Sequence, residues 1–180
     1  SLSRTEWREA ATGGLYAGLA YALLTIAAHA GRSMPGLVTI LNAVSFFSFA
    51  GFLYFYARRM AAYAGGDGFS YGRSLLFVLK MSLFAGVLAG VGQFVLVNWI
   101  DPEGFREQFD LMVANMAGGG MGEKEAEMAG SLGLKLMRNP LFAVFSGIFS
   151  MLIYGGLLGL LISIFVRRPA DPFGGGTSAE

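Results

Sequence analysis

Lys80 sits inside an otherwise apolar run, Ser74 to Ile100, SLLFVLKMSLFAGVLAGVGQFVLVNWI, which also carries Gln93. An ionisable side chain at such a depth is a functional candidate by default, because hydrocarbon solvates its charge poorly and it needs a partner or a route to water. Asn42 lies in a second such run. Lys80, Gln93 and Asn42 are therefore the candidate intramembrane polar residues. A proton relay would add a carboxylate, and none of the uncharged runs contains one. Lys80 is two helical turns from Arg73 and off the face that holds Ser82, Gly86, Gly90 and Gln93. The expectation is that it snorkels, its stem in lipid and its ammonium at the interface.

Other chemistry finds less support. Five of the nine methionines fall between Met112 and Met137, and thioethers are soft enough to hold Cu(I), but no histidine or cysteine joins them. Methionine also fills irregular apolar surfaces, which is the simpler account. The sole histidine, His29, closes an apolar run and is expected to be an interfacial side chain. The absence of cysteine removes disulfides and thiol catalysis. GGGMGEKE has phosphate-loop composition without the spacing or the closing Gly-Lys-Ser/Thr. No Ser-His-acid set, HExxH or dinucleotide fingerprint occurs, so no enzyme, metal or cofactor is expected, and no nucleic-acid partner.

The elements that would hold these residues are membrane helices. Only 14% of the 180 residues are charged and 54% are apolar, against about 25% charged in soluble domains. Met81 to Ile100 gives twenty residues without a charge, enough at ~1.5 Å each to cross roughly 30 Å of hydrocarbon. The spans are placed at about 10–31, 36–58, 74–100 and 141–166. Ala28-His29-Ala30 fits a signal-peptidase pattern, but the run before it is too long for a cleaved signal core, so a retained first span is expected. Gly14/Gly18, Gly86/Gly90 and Gly155/Gly159 repeat the small-xxx-small spacing by which helix backbones approach in lipid. Three such motifs fit packing within one bundle. The fold class expected is all-α: a polytopic membrane protein of four antiparallel transmembrane helices.

Residues 101–139 leave this pattern. Asp101-Pro102 supplies an N-cap and a first-turn proline, and Phe105, Phe109, Met112 and Met116 follow at helical spacing. A glycine break at 118–120 precedes a second helix from about Glu123 to Arg138, and Asn139-Pro140 resets the chain for re-entry. Residues 1–170 form one domain, and 171–180 read as a flexible tail. Arg4, Arg8, Arg58, Arg59, Arg73, Arg167 and Arg168 all fall on one side of the spans. The positive-inside rule then puts both termini in the cytoplasm of a bacterial inner membrane, with the helical segment outside.

Four stretches carry a family resemblance: the glycine-bearing first span, GGDGFSYGRSL before the third, NWIDPEGFREQF after it, and RNPLF at re-entry. In these the chain resembles an uncharacterised bacterial family of small four-span membrane proteins, domain of unknown function four-one-nine-nine. The resemblance implies fold and topology and transfers no functional residue.

Two functions fit these observations. One is an accessory or scaffold subunit of a larger inner-membrane assembly, engaging other membrane subunits or a second copy through the stripe Phe105, Phe109, Met112, Met116. The other is a small transporter or channel working as an oligomer, with Tyr21, Thr25, Asn42, Gln93 and Ser163 along a polar path. The lipid bilayer is a partner in both. The absence of intramembrane acids and internal repeats favours the subunit.

Overall fold

The computed structural model describes residues 1–173, and in them the chain is helices joined by short connections, with one isolated bridge between Phe69 and Arg168. The helices are α1 (Leu2–Ala30), α2 (Pro35–Ala64), α3 (Tyr71–Val95), α4 (Pro102–Gly118), α5 (Glu123–Arg138) and α6 (Pro140–Val166). Four of them, α1, α2, α3 and α6, are long and apolar enough to cross a membrane. Local chemistry sets their ends. Ser70 caps α3 through a hydroxyl that accepts from the Arg73 amide, and Asn139 caps α6 by accepting from Leu141 and Phe142. Pro35, Pro102 and Pro140 each open a helix where the missing N–H costs nothing. α3 ends in a π-turn, Leu96–Ile100, which brings Asp101 to the tip of α1.

Glycine determines which helices touch. Gly14 and Gly18 of α1 lie on Met81 and Ala85 of α3, so these two contacts advance along both chains together. Against α6, α3 is met in the opposite sense: Gly86 and Gly90 face Ile148 and Val144, while Gly155 and Gly159 face Ser82 and Val78. All three glycine pairs expected from spacing thus lie in seams within one chain. Between them sits a solid core of Leu53, Met60, Phe77, Val78, Met81 and Ala85, each wholly buried. Lipid offers such contacts no hydrophobic drive, so close backbone approach must supply the attraction.

α2 behaves differently along its length. Its buried residues run from Phe49 to Ala64, and none from Pro35 to Ser48 is buried. The first half of this helix is therefore open on several faces, and a cleft lies between it, α1 and α6.

Two expectations about the ends change. The first helix begins at Leu2 rather than near residue 10, so Glu6 and Glu9 fall within it and are buried. Beyond α6 the chain is not free at once: the Arg168 amide donates to Phe69 and the Asp171 amide to Gly66, docking the start of the expected tail on the loop before α3. Residues 174–180 of that tail lie outside the described residues.

Candidate functional site: an uncharged polar cleft

Two adjoining cavities open in the half of the bundle that α2 leaves uncovered, each of about 250 Å³. They share Tyr21, Ser150 and Met151. The first, on the α3 side, adds Gln93 and Ser146 to the polar lining, with Ala89, Phe142 and Gly147 as apolar wall. The second, on the α2 side, adds Thr25, Asn42, Ser45 and Tyr154. Eight hydroxyl or amide side chains thus converge on one intramembrane space, and no carboxylate, amine or guanidinium lines it.

Helix geometry explains the convergence. Tyr21 and Thr25 are one turn apart on α1, Asn42 and Ser45 nearly so on α2, and Ser146, Ser150 and Tyr154 repeat every four residues on α6. Thr25 satisfies its hydroxyl on the Tyr21 carbonyl, 2.8 Å away. The amides of Asn42 and Gln93 have no such partner among the described residues, so their hydrogen-bonding capacity is turned to whatever enters. Aromatic rings close one end: Phe49 and Tyr154 are stacked with centroids 5.1 Å apart, and Tyr21 leans on both. Beyond them lies the solid core.

Of the expected intramembrane residues, Gln93 and Asn42 are brought to this space and Lys80 is not. Ser163, expected on the same path, lines neither cavity and is wholly buried. Lys80 is also corrected in its surroundings. Its ammonium lies 2.6 Å from Glu6 Oε1 and 4.6 Å above the centre of the Trp7 ring, so it is paired and does not snorkel freely. Arg73 reaches the other Glu6 oxygen at 3.5 Å, and Arg59 holds Glu9 at 3.3 Å. The uncharged runs contain no acid, but α1 extends a little over two turns beyond its run and brings the two acids in.

The α4 stripe is likewise largely covered from within. Phe105 is buried, its ring stacked on His29 at 5.3 Å, and Phe109 meets Gly133 of α5. Met116 is half-buried and Met112 exposed. The four side chains expected to face a partner therefore do not form a free surface together.

Sequence reasoning missed the anchor of that arrangement. Asp101 caps α4 by accepting from the Gly104 amide at 3.1 Å, while its other oxygen takes His29 Nε2 at 2.8 Å and Arg32 at 3.0 Å. A usable signal existed: His29 ends the first span and Asp101 ends the third, so two spans starting on one side deliver both to the other. The hydrogen bond from His29 holds the Asp101 carboxyl below the usual carboxylate range, with the Gly104 amide and Arg32 helping. A depressed carboxyl stabilises above its unfolded value, ~3.9, and loses that contribution as pH falls through the folded value. In a Trp7→Phe background, Trp99 emission should show an acid transition that sets in below the ordinary carboxylate midpoint. Asp101→Asn should abolish the transition; a midpoint at or above the ordinary value contradicts the latch.

Comparison with known proteins fits this architecture to a family. The pattern of a family described as a protein of unknown function, DUF4199, matches residues 12–168. The chain belongs to the DUF4199 family. The match runs from α1 through α6 and so includes every residue of the cleft and the Asp101 latch, while Glu6 and Glu9 precede it. No curated protein and no solved structure matches the chain.

Proposed function

We propose that this DUF4199 protein binds an uncharged, hydroxyl- or amide-bearing solute within the membrane, as the recognition step of a small transporter. The observation that carries the proposal is the cleft itself: eight polar side chains without a charge, in a space whose two parts, about 250 Å³ each, together exceed the ~300 Å³ at which ligand pockets begin. Unpaired amides in hydrocarbon are costly, so an occupant that bonds them gains more than it would at a surface. The absence of charge selects against ions and charged metabolites. The aromatic floor of Phe49, Tyr154 and Tyr21 makes the site one-sided, with access from the α4–α5 end or laterally from lipid. The basic residues at the opposite end of the helices favour both termini in the cytoplasm of a bacterial inner membrane and antiparallel spans.

The test is a thermal-shift screen of uncharged polyols and amides on the purified protein, followed by uptake into proteoliposomes. A binding solute should lose about tenfold in affinity in Gln93→Leu or Asn42→Leu, the worth of one hydrogen bond, and should be unaffected in Thr39→Ala. If no uncharged solute binds, or the cleft variants bind as well as the parent, the proposal fails. Because the chain has no cysteine, single introduced cysteines at Arg4 and Glu127 with an impermeant maleimide test the orientation directly.

The accessory-subunit reading keeps one observation in its favour, the unburied first half of α2, which presents Thr39 and Asn42 beside Ile40, Val44 and Phe47. Recovery of a stoichiometric membrane partner in mild detergent, lost on Phe47→Ala, supports it. A lone chain removes it.

A further inference from the structure

The helix α5 has three distinct faces. Ala126, Gly130 and Gly133 form a small-residue face that packs on Val113 and Phe109 of α4. A second face, Met128, Leu132 and Leu136, is left 72%, 59% and 39% exposed. The third carries Lys124, Glu127, Ser131, Lys135 and Arg138. Charge is also graded along the axis: Glu123 and Glu125 lie in the first turn, Lys135 and Arg138 in the last. That last turn abuts Pro140, the first residue of the membrane helix α6, whose own exposed side chains begin with Leu141, Phe142 and Phe145. At the elbow between the two helices Ser131, Lys135, Arg138 and Asn139 surround an open groove.

The geometry points to α5 as an interfacial lipid-binding helix: its apolar stripe lies in the acyl region of the adjoining leaflet, and the elbow groove holds the phosphate of an anionic phospholipid. Three arguments favour a lipid as occupant. The apolar face continues along the chain into the lipid-facing side chains of α6, so both occupy one apolar phase. The basic end of the helix is the end at the membrane boundary, where lysine and arginine reach phosphates while their stems stay in the apolar layer. The α6 N-terminus opens beside the same groove, its first amides capped by Asn139, and the helix dipole adds partial positive charge there. A charged face flanking an exposed apolar one suits a helix that lies in the interface plane.

The experiment uses the full chain in nanodiscs of phosphatidylcholine with phosphatidylglycerol. Environment-sensitive fluorophores are placed on single cysteines, Leu132→Cys and Lys124→Cys. The label at 132 should be blue-shifted and quenched by lipids brominated in their acyl chains, and the label at 124 should not. An aqueous spectrum at 132 overturns the interfacial placement. For the groove, phosphatidylglycerol retained by the protein is measured by native mass spectrometry. Lys135→Gln should weaken retention about fivefold, and Lys135→Gln with Arg138→Gln about thirtyfold. Unchanged retention overturns the headgroup assignment. Displacement of the lipid by millimolar inorganic phosphate would show a site for the free anion and would equally overturn it.

Discussion

Gly147→Val should leave almost no monodisperse protein, whereas Gly156→Ala should purify and melt like the parent. A Cβ at Gly147 would stand 2.5 Å from the Gly86 oxygen and the Gly90 nitrogen and 2.6 Å from Gly90 Cα. All three are backbone atoms and cannot rotate away, so α3 and α6 must move apart. That seam is the most extensive in the bundle, and separating its backbones forfeits dispersion contacts that lipid cannot replace with a hydrophobic drive. The cost should exceed the ~4–5 kcal/mol that marks exceptional single substitutions. At Gly156 the nearest atom to a new Cβ is Leu79 Cδ2 at 3.4 Å, the end of a flexible side chain. Fluorescence-detected size exclusion and thermal melting in detergent check both. A Gly147→Val protein with parental elution and melting would mean that the seam contributes little.

The seams were legible because they depend on spacing alone. Gly86/Gly90 and Gly155/Gly159 declare a close helix face wherever the helices go, and uncharged runs of twenty residues or more declare the spans. The boundaries of α4 and α5 were equally open to reading, since Asp101-Pro102, the glycine break and Asn139-Pro140 are local signals. The partners of faces were not. Nothing in the period of Phe105 and Phe109 says that His29 and Gly133 cover them; that follows from where α1 ends and how the α4–α5 hairpin closes, both long-range facts.

The candidate site was half legible for the same reason. Gln93 and Asn42 stand out as polar residues in apolar runs. Ser146 and Ser150 do not, because serine bonds its own helix readily and is unremarkable there. Ser163, grouped with Gln93 and Asn42 on the expected path, lies elsewhere, since only the third dimension separates a seam from a cleft. What makes the cleft is the open first half of α2, which is no less apolar than the second.

Lys80→Met should destabilise more than Glu6→Gln, and the two together should cost less than their sum. Glu6 is the more deeply buried partner, its side chain 10% exposed against 26% for Lys80. Orphaning a buried carboxylate costs more than orphaning an ammonium whose long stem can still carry it to the interface. Arg73, at 3.5 Å from the second Glu6 oxygen, recovers part of that loss. The expected costs are about 2 kcal/mol for Lys80→Met and about 1 kcal/mol for Glu6→Gln, well below the fully buried limit because both groups touch solvent. A double-mutant cycle by thermal or denaturant unfolding in detergent should return a coupling of about 1 kcal/mol. Free snorkelling predicts something else: Lys80→Met near neutral, no coupling to Glu6, and no response to Trp7→Ala. In the structure the Trp7 ring covers the ammonium at 4.6 Å, so its removal should weaken the pair and lower the coupling measured in that background. Zero coupling in the parent background would return Lys80 to the role its sequence position suggests and leave Glu6 to Arg73 alone.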